Sequence, residues 1–326
     1  MKSILLTVCL IMVSFSNQQP LGADVNQKKT SDSSFTGVYA ASLTPMHDDF
    51  SCNCEELANH CNDLMHRGCR GIVLFGTTGE GPSFSVAERE DAVKDLIKLG
   101  VDPQKLIIGI SCTAIDDAVK LASTAMDQNC SAVLIAPPFF YKNVDDAGVV
   151  AFYREIIKRV GRSDLKILLY HIPQYSGVPI TLNIIKILRA EFPDNVIGIK
   201  ESEGNLPFTK EILSTFPGFK VFAGNELQIS QAVQSGAAGG ISGIVNAYPE
   251  LICSLYEYGK DQQKPNNNEI AQAVVRSIIS YPIFPAIKNI VERQKGVAWH
   301  VLRPPLTPLD ETQSQALIER LRTVQQ

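Results

Sequence analysis

The chain has 326 residues, 45% hydrophobic and 20% charged, which describes an ordinary soluble globular protein of one large or two medium domains. A formal charge of -4 and a pI near 5.8 supply no basic field. No run of Lys and Arg is dense enough to follow a phosphate backbone, so nucleic acid is excluded as an expected partner.

Residues 1–23 read as a segment of their own. Met1-Lys2 is followed by an apolar run from Ile4 to Phe15 and a small-residue stretch ending Leu21-Gly22-Ala23. One positive charge, a short apolar core and a small-residue exit form the pattern of a secretory signal peptide, and the run is too short to span a bilayer. The expectation is export, periplasmic or secreted, if the segment is used, and a cytoplasmic protein otherwise; no membrane attachment is expected after processing. No arginine occurs before Arg67, which argues against a mitochondrial transit peptide. Residues 24–35 read as a disordered linker. Removal of Cys9 leaves seven cysteines, an odd number that suits buried or incidental thiols better than a disulfide framework. Cys52-x-Cys54 lacks a second ligand pair at zinc spacing, so no metal site is expected.

From Thr36 onward an apolar run, a loop and an amphipathic stretch repeat. Strands are predicted over 37–43, 71–75, 105–110, 132–136, 166–170, 196–200, 220–223 and 239–242. Helical stretches of about a dozen residues separate them. Strands this apolar, alternating with helices, require a parallel sheet covered on both faces. Eight such units fit an α/β fold of the (β/α)8 TIM barrel type over 36–248. A doubly wound open sheet is the runner-up, but the turn after the first strand reads Ala41-Ser42-Leu43-Thr44-Pro45, without the glycine fingerprint of a dinucleotide site. Residues 249–326 carry helical patterns only and read as a C-terminal helical appendage.

In such a barrel the reactive groups sit where the strands end. The sixth strand, Val196-Ile197-Gly198-Ile199-Lys200, ends in an amine, and alternation places Val196, Gly198 and Lys200 on one face. Lysine is rarely buried without a reason, and a desolvated amine can attack a carbonyl to form a Schiff base. The second strand is followed by Gly76-Thr77-Thr78-Gly79-Glu80-Gly81, a glycine-framed hydroxyl pair whose backbone N–H groups suit a small carboxylate. The fifth ends in Tyr170, and the eighth contains Gly239-Gly240-Ile241-Ser242-Gly243, where backbone can approach a ligand or a phosphate. An amine, a proton relay and a carboxylate clamp are what imine formation needs. His171 reads as a packing histidine, Lys288 as structural, and Glu80 and Glu201 as supporting or surface partners.

The loop 76–80, Tyr170 with Ile172-Pro173, Gly198-Ile199-Lys200-Glu201 and Arg303-Pro304-Pro305-Leu306 resemble, in that order, the dihydrodipicolinate synthase/N-acetylneuraminate lyase family of pyruvate-dependent class I aldolases. The resemblance implies a lyase without cofactors in which Lys200 forms the Schiff base, Tyr170 shuttles the proton and Thr77 relays it. It implies that Thr78 and the backbone near Ile241 hold the pyruvate carboxylate, with Gly76 and Gly79 framing the loop. A tyrosine lent by a neighbouring subunit is a further implication; Tyr141 is the candidate, although Phe139 and Phe140 stand where tyrosines are common. Homo-oligomers, dimers or tetramers, follow from that. Tyr175 stands where synthases of the family carry an arginine, and a phenol cannot replace a guanidinium clamp.

The expected function is thus a Schiff-base lyase, a carbon–carbon or hydro-lyase, acting on pyruvate or another 2-oxo acid and an aldehyde. A 4-hydroxy-tetrahydrodipicolinate synthase-like condensation is the leading form. The alternative is an aldolase of 2-keto-3-deoxy sugar acids, 4-hydroxy-2-oxoglutarate or N-acetylneuraminate. An alternative of another class is a non-catalytic 2-oxo acid-binding protein.

Overall fold

A computed structural model describes residues 35–325; the expected signal peptide, and all of the linker but Phe35, lie outside them. Eight parallel strands close into a barrel in sequence order: β1 (Gly37–Ala41), β2 (Gly71–Leu74), β3 (Leu106–Ile110), β4 (Ala132–Ile135), β5 (Ile167–His171), β6 (Val196–Glu201), β7 (Lys220–Ala223) and β8 (Gly239–Ser242). The (β/α)8 barrel expected from the alternating apolar runs is therefore the fold. Outside it run α1 (Cys54–His66), α2 (Val86–Lys98), α3 (Ile115–Asp127), α4 (Asp146–Val160), the single turn α5 (Pro173–Ser176), α6 (Leu182–Glu191), α7 (Leu206–Thr215) and α8 (Ile229–Gln234). Then follow α9 (Pro249–Lys260), α10 (Asn268–Ile279), α11 (Ile283–Lys295) and α12 (Glu311–Gln325). Helix α9 packs on β1, β8 and α8, in the place of the eighth outer helix, so the ring runs past residue 248 before the three remaining helices dock.

Helix starts follow from local chemistry. Ser85 and Glu88 form a reciprocal capping box on α2, and Asn53, Asp145, Thr181 and Asn205 cap α1, α4, α6 and α7 through side-chain oxygens, satisfying N–H groups that the first turn leaves unpaired. Alternation divides each strand between two layers. Tyr39, Val73, Ile107, Leu134, Leu168 and Phe222 fill the barrel interior, while Val38, Ile72, Ile108, Val133, Leu169 and Val221 face the helices.

Strand β6 departs from simple alternation. Its register against β5 slips between Ile167 and Leu168, which pair with Val196 and Gly198. The extra residue turns Val196 to the helix side and Ile197 toward the interior, while Ile199 faces out. Val196 and Lys200 therefore do not share a face, contrary to the sequence reading, because a bulge advances the side-chain period by one. Gly198 suits this crowding, since a Cβ there would lie 2.3 Å from the Lys220 carbonyl oxygen and 2.8 Å from Leu168.

Asn246, just beyond β8, joins the barrel's ends. Its amide donates to the carbonyls of Ala41 (2.8 Å) and Gly243 (2.7 Å), and its oxygen accepts from Leu43 N–H (3.0 Å) and His60 Nε2 (2.9 Å). Lys295 donates to His60 Nδ1 (3.0 Å), which fixes the proton of the neutral ring on Nε2. Burial pulls the His60 pKa from 6.5 down to about 3. The unfolded chain takes up this proton near pH 6.5 and the folded chain refuses it down to about pH 3, so stability is full above that window and declines as pH falls through it. In urea unfolding at about pH 7 and about pH 4.5, His60→Gln is expected to show a smaller loss on acidification than the wild type. An equal loss in both would contradict this assignment.

Candidate active site

A cavity of about 320 Å³ opens at the carboxyl ends of the strands. The loop after β2 supplies its first wall, and the loop's shape is forced. Phe75 and Glu80 both adopt left-handed backbone, at φ 54° and 57°, a conformation that costs about 1–3 kcal/mol per non-glycine residue and clusters at functional loops. Gly81 permits the fold-back, because a Cβ there would lie 1.8 Å from the Phe75 carbonyl oxygen. The turn leaves Thr77 and Thr78 lining the cavity. Gly79 frames it from behind, where Thr44 Oγ1 donates to its carbonyl (2.7 Å).

Two long-range contacts secure the loop. Lys288 on α11 is fully buried and donates to Glu80 Oε1 (3.0 Å), the Thr44 carbonyl (2.9 Å) and the Val301 carbonyl (2.6 Å). Burial pulls its amine below the usual lysine range, against the opposing pull of the Glu80 carboxylate. Glu80 Oε2 accepts from Arg303 N–H (2.8 Å), while the Arg303 guanidinium lies on the Phe84 ring (3.7 Å) and holds Glu88. That pairing draws the Glu88 carboxyl down to about 2. Glu80 is thus not a surface residue, and neither is Glu201, which is buried and accepts from Gly204 N–H (3.0 Å) and Thr209 Oγ1 (3.4 Å) to set the turn after β6.

The reactive groups come from β5 and β6, where Tyr170 pairs in register with Lys200. Lys200 is 6% exposed; its Nζ lies 3.4 Å from the Tyr170 hydroxyl and 4.7 Å from the ring centre. The Tyr170 hydroxyl is in turn 3.1 Å from Thr77 Oγ1. An amine, a phenol and an alcohol therefore stand in one hydrogen-bonded line inside the cavity. Among the described residues Lys200 makes no ion pair, whereas the other buried lysine, Lys288, is committed to a carboxylate and two carbonyls.

Ile241 and Gly243 form the wall beside Thr78; a Cβ on Gly243 would lie 2.9 Å from Thr78 Oγ1. The N–H groups of Gly243 and Ile244 donate to Glu226 Oε1 (3.2 and 3.3 Å), and Gly239 and Gly240 lie within β8, where Cβ atoms would strike Gly37 and Ile229. The glycine run therefore serves barrel closure and is not free to cradle phosphate. Tyr175 lines the cavity mouth at 55% exposure, 6.0 Å from Phe284, with its phenol raised by burial. Tyr141 does not reach its own chain's cavity; it is 75% exposed and meets Phe140 edge-on.

Four polar residues of the cavity escape the sequence reading: Gln174, Ser202, Asn225 and Glu226. Ser202 follows Lys200 by two residues, so alternation alone could have found it. Its buried hydroxyl has no partner. The apolar wall from Ile283, Phe284 and Ile287 carries no such signal, since it depends on how α11 docks.

His171, Glu201 and Glu203 lie close enough to share a cation. His171 Nδ1, however, accepts from Ile180 N–H (3.0 Å), which puts the proton of the neutral ring on Nε2 and leaves no lone pair for a metal. The cluster packs the barrel end, with the ring 5.2 Å from Phe208.

A closed parallel barrel carrying its polar cavity at the strand ends defines the class as a (β/α)8 barrel of the enzyme type. The family model described as the Dihydrodipicolinate synthetase family matches residues 34–324. A DapA-like lyase of Chloroflexus aurantiacus is 32% identical over 284 residues, covering 86% of this chain and 94% of that protein. The crystal structure of dihydrodipicolinate synthase from Agrobacterium tumefaciens superposes with a TM-score of 0.84 at 28% identity, covering 89% of this chain and all of that one. A 2-keto-3-deoxygluconate aldolase from Sulfolobus solfataricus, at 20% identity, a TM-score of 0.80 and coverage of 89% and 96%, shares the fold. The chain belongs to the dihydrodipicolinate synthetase family, whose members are lyases acting on small molecules.

Proposed function

We propose that this protein is a class I aldolase that binds pyruvate, or a related 2-oxo acid, as an imine on Lys200. The observation that carries the proposal is the line from Thr77 through Tyr170 to an amine with no ion pair. Lys200 Nζ attacks the keto carbon to give a carbinolamine. Tyr170 protonates the departing hydroxyl, water leaves, and a proton from solvent, relayed through the Thr77 hydroxyl, restores the phenol. The imine withdraws electrons from the neighbouring carbon, which loses a proton to become an enamine and adds to an aldehyde carbonyl. The reverse sequence cleaves the same bond. Thr78 and the backbone at Ile241 hold the carboxylate beside the amine, with no step that needs a metal or an organic cofactor. A second subunit placing Tyr141 over the cavity suits this reading.

For the second substrate, the cavity lining favours a hydroxylated aldehyde over an acidic one. Among the described residues Lys200 is the only basic side chain lining the cavity, so nothing there pairs with a second carboxylate. The neutral amides of Gln174 and Asn225 on the same lining suit hydroxyl groups instead. This favours cleavage of 2-keto-3-deoxy sugar acids. The synthase reading rests on the Gly-Thr-Thr-Gly-Glu and Ile-Lys-Glu stretches and on the likeness to dihydrodipicolinate synthase. Pyruvate release from a panel of such sugar acids, set beside pyruvate consumption with aspartate semialdehyde, separates the two. Turnover of the semialdehyde alone would overturn the sugar-acid reading, and binding without either turnover would leave a non-catalytic 2-oxo acid-binding protein. Tyr170→Phe is expected to slow imine formation by about 10²–10⁴-fold with pyruvate binding retained; stopped-flow absorbance of the imine reads this directly.

A further inference from the structure

The loop after β1 carries two thiols that the proposed chemistry does not use. Cys52 Sγ and Cys54 Sγ lie 3.6 Å apart, and both residues are partly exposed, whereas Cys61, Cys69, Cys112 and Cys130 are buried and Cys253, itself partly exposed, has the buried Cys69 as its thiol neighbour. Their backbones are fixed independently. Cys52 closes a tight hairpin through an antiparallel bridge to Met46, with Phe50 at its corner in left-handed backbone. Cys54 is the first residue of α1, and between the two Asn53 donates N–H to the Pro45 carbonyl (2.9 Å) and caps the helix at Glu56 N–H (3.1 Å).

We propose that Cys52 and Cys54 are a redox-active dithiol that closes to a disulfide by exchange with a small-molecule disulfide. The sulfurs need to approach by about 1.5 Å to bond, which rotation about the two Cα–Cβ bonds can supply. Cys54 is the attacking group: the Cys52 thiol beside it holds its pKa below the usual thiol range, and it stands in the first turn of a helix. Its thiolate displaces one thiol from the small disulfide and forms a mixed disulfide. Cys52 then loses its proton, attacks the Cys54 sulfur and releases the second thiol. Two protein thiols are oxidised, and one external disulfide is reduced to two thiols. A metal is the poorer occupant. Among the described residues no third His, Cys, Asp or Glu completes a ligand set around the pair. A structural staple is also the poorer reading, because so short a closed loop restrains the unfolded chain far less than a long-range bond.

The test uses the full chain with oxidised glutathione, followed by alkylation of the remaining thiols and cleavage after lysine and glutamate, which separates Cys54 from Cys61 at Glu55 and Cys52 from Cys9 at Lys29. The peptide holding Cys52 and Cys54 is expected to lack alkyl groups, to be two hydrogens lighter and to recover both thiols with dithiothreitol. Cys52→Ser is expected to stop at a glutathione adduct on Cys54. Full alkylation of both cysteines in the wild type, or loss of thiols at Cys69 and Cys253 instead, would overturn the proposal.

Discussion

Lys200→Ala is expected to lose activity by at least about 10³-fold while keeping the barrel, because the proposed mechanism forms its covalent bond to the substrate at the nitrogen that this substitution removes. Lys200→Arg sharpens the test. It keeps the positive charge at the same place, yet a guanidinium does not condense with a ketone under these conditions, so it should be as inactive as the alanine variant. If Lys200→Arg retained more than a trace of turnover, the lysine would be acting through charge and the imine would be unnecessary. Circular dichroism of both variants should match the wild type, since Lys200 makes no ion pair among the described residues and its single hydrogen-bond contact is to Tyr170.

The largest effect on stability is expected at the Glu80–Lys288 pair, whose two side chains are each 1% exposed. Lys288→Ala leaves a buried carboxylate with the Arg303 N–H and no counter-charge, and strips donors from the Thr44 and Val301 carbonyls. Breaking such a pair from one side costs about 3–5 kcal/mol, whereas replacing both partners with apolar groups costs far less. Glu80→Leu combined with Lys288→Met should therefore unfold at a higher urea concentration than Lys288→Ala alone. The single variant should also bind pyruvate more weakly, since Thr77 and Thr78 ride on the loop that Glu80 anchors. A Lys288→Ala protein as stable as the wild type would show that the loop is held by its glycines and Thr44 alone.

The eight strands were legible because a parallel barrel buries both faces of each strand, which leaves short apolar runs bounded by turns. The strand-end residues were legible for a related reason: Thr77, Tyr170 and Lys200 are polar atoms placed where an apolar run stops. The β6 bulge was not legible, since alternation read from one strand cannot report a slip that exists only against its neighbour Ile167. Arg303 could be matched as part of a motif, but its work of bracing Glu80 and Glu88 across more than 200 residues is a property of the folded chain. Lys288 reads as structural from its apolar helical stretch, but spacing does not pair it with Glu80, 208 residues away. Glu226 was missed because an acid after β7 looks like surface, and its three hydrogen bonds to the β8 end appear only when the barrel closes.

Borohydride reduction of the protein in the presence of pyruvate, read by peptide mass, tests the central claim most directly. The account predicts a carboxyethyl group on the Lys200 side-chain nitrogen, irreversible loss of activity with it, and no labelling of Lys200→Ala. A protein left unmodified under these conditions, or one labelled at Lys288 in place of Lys200, would contradict it.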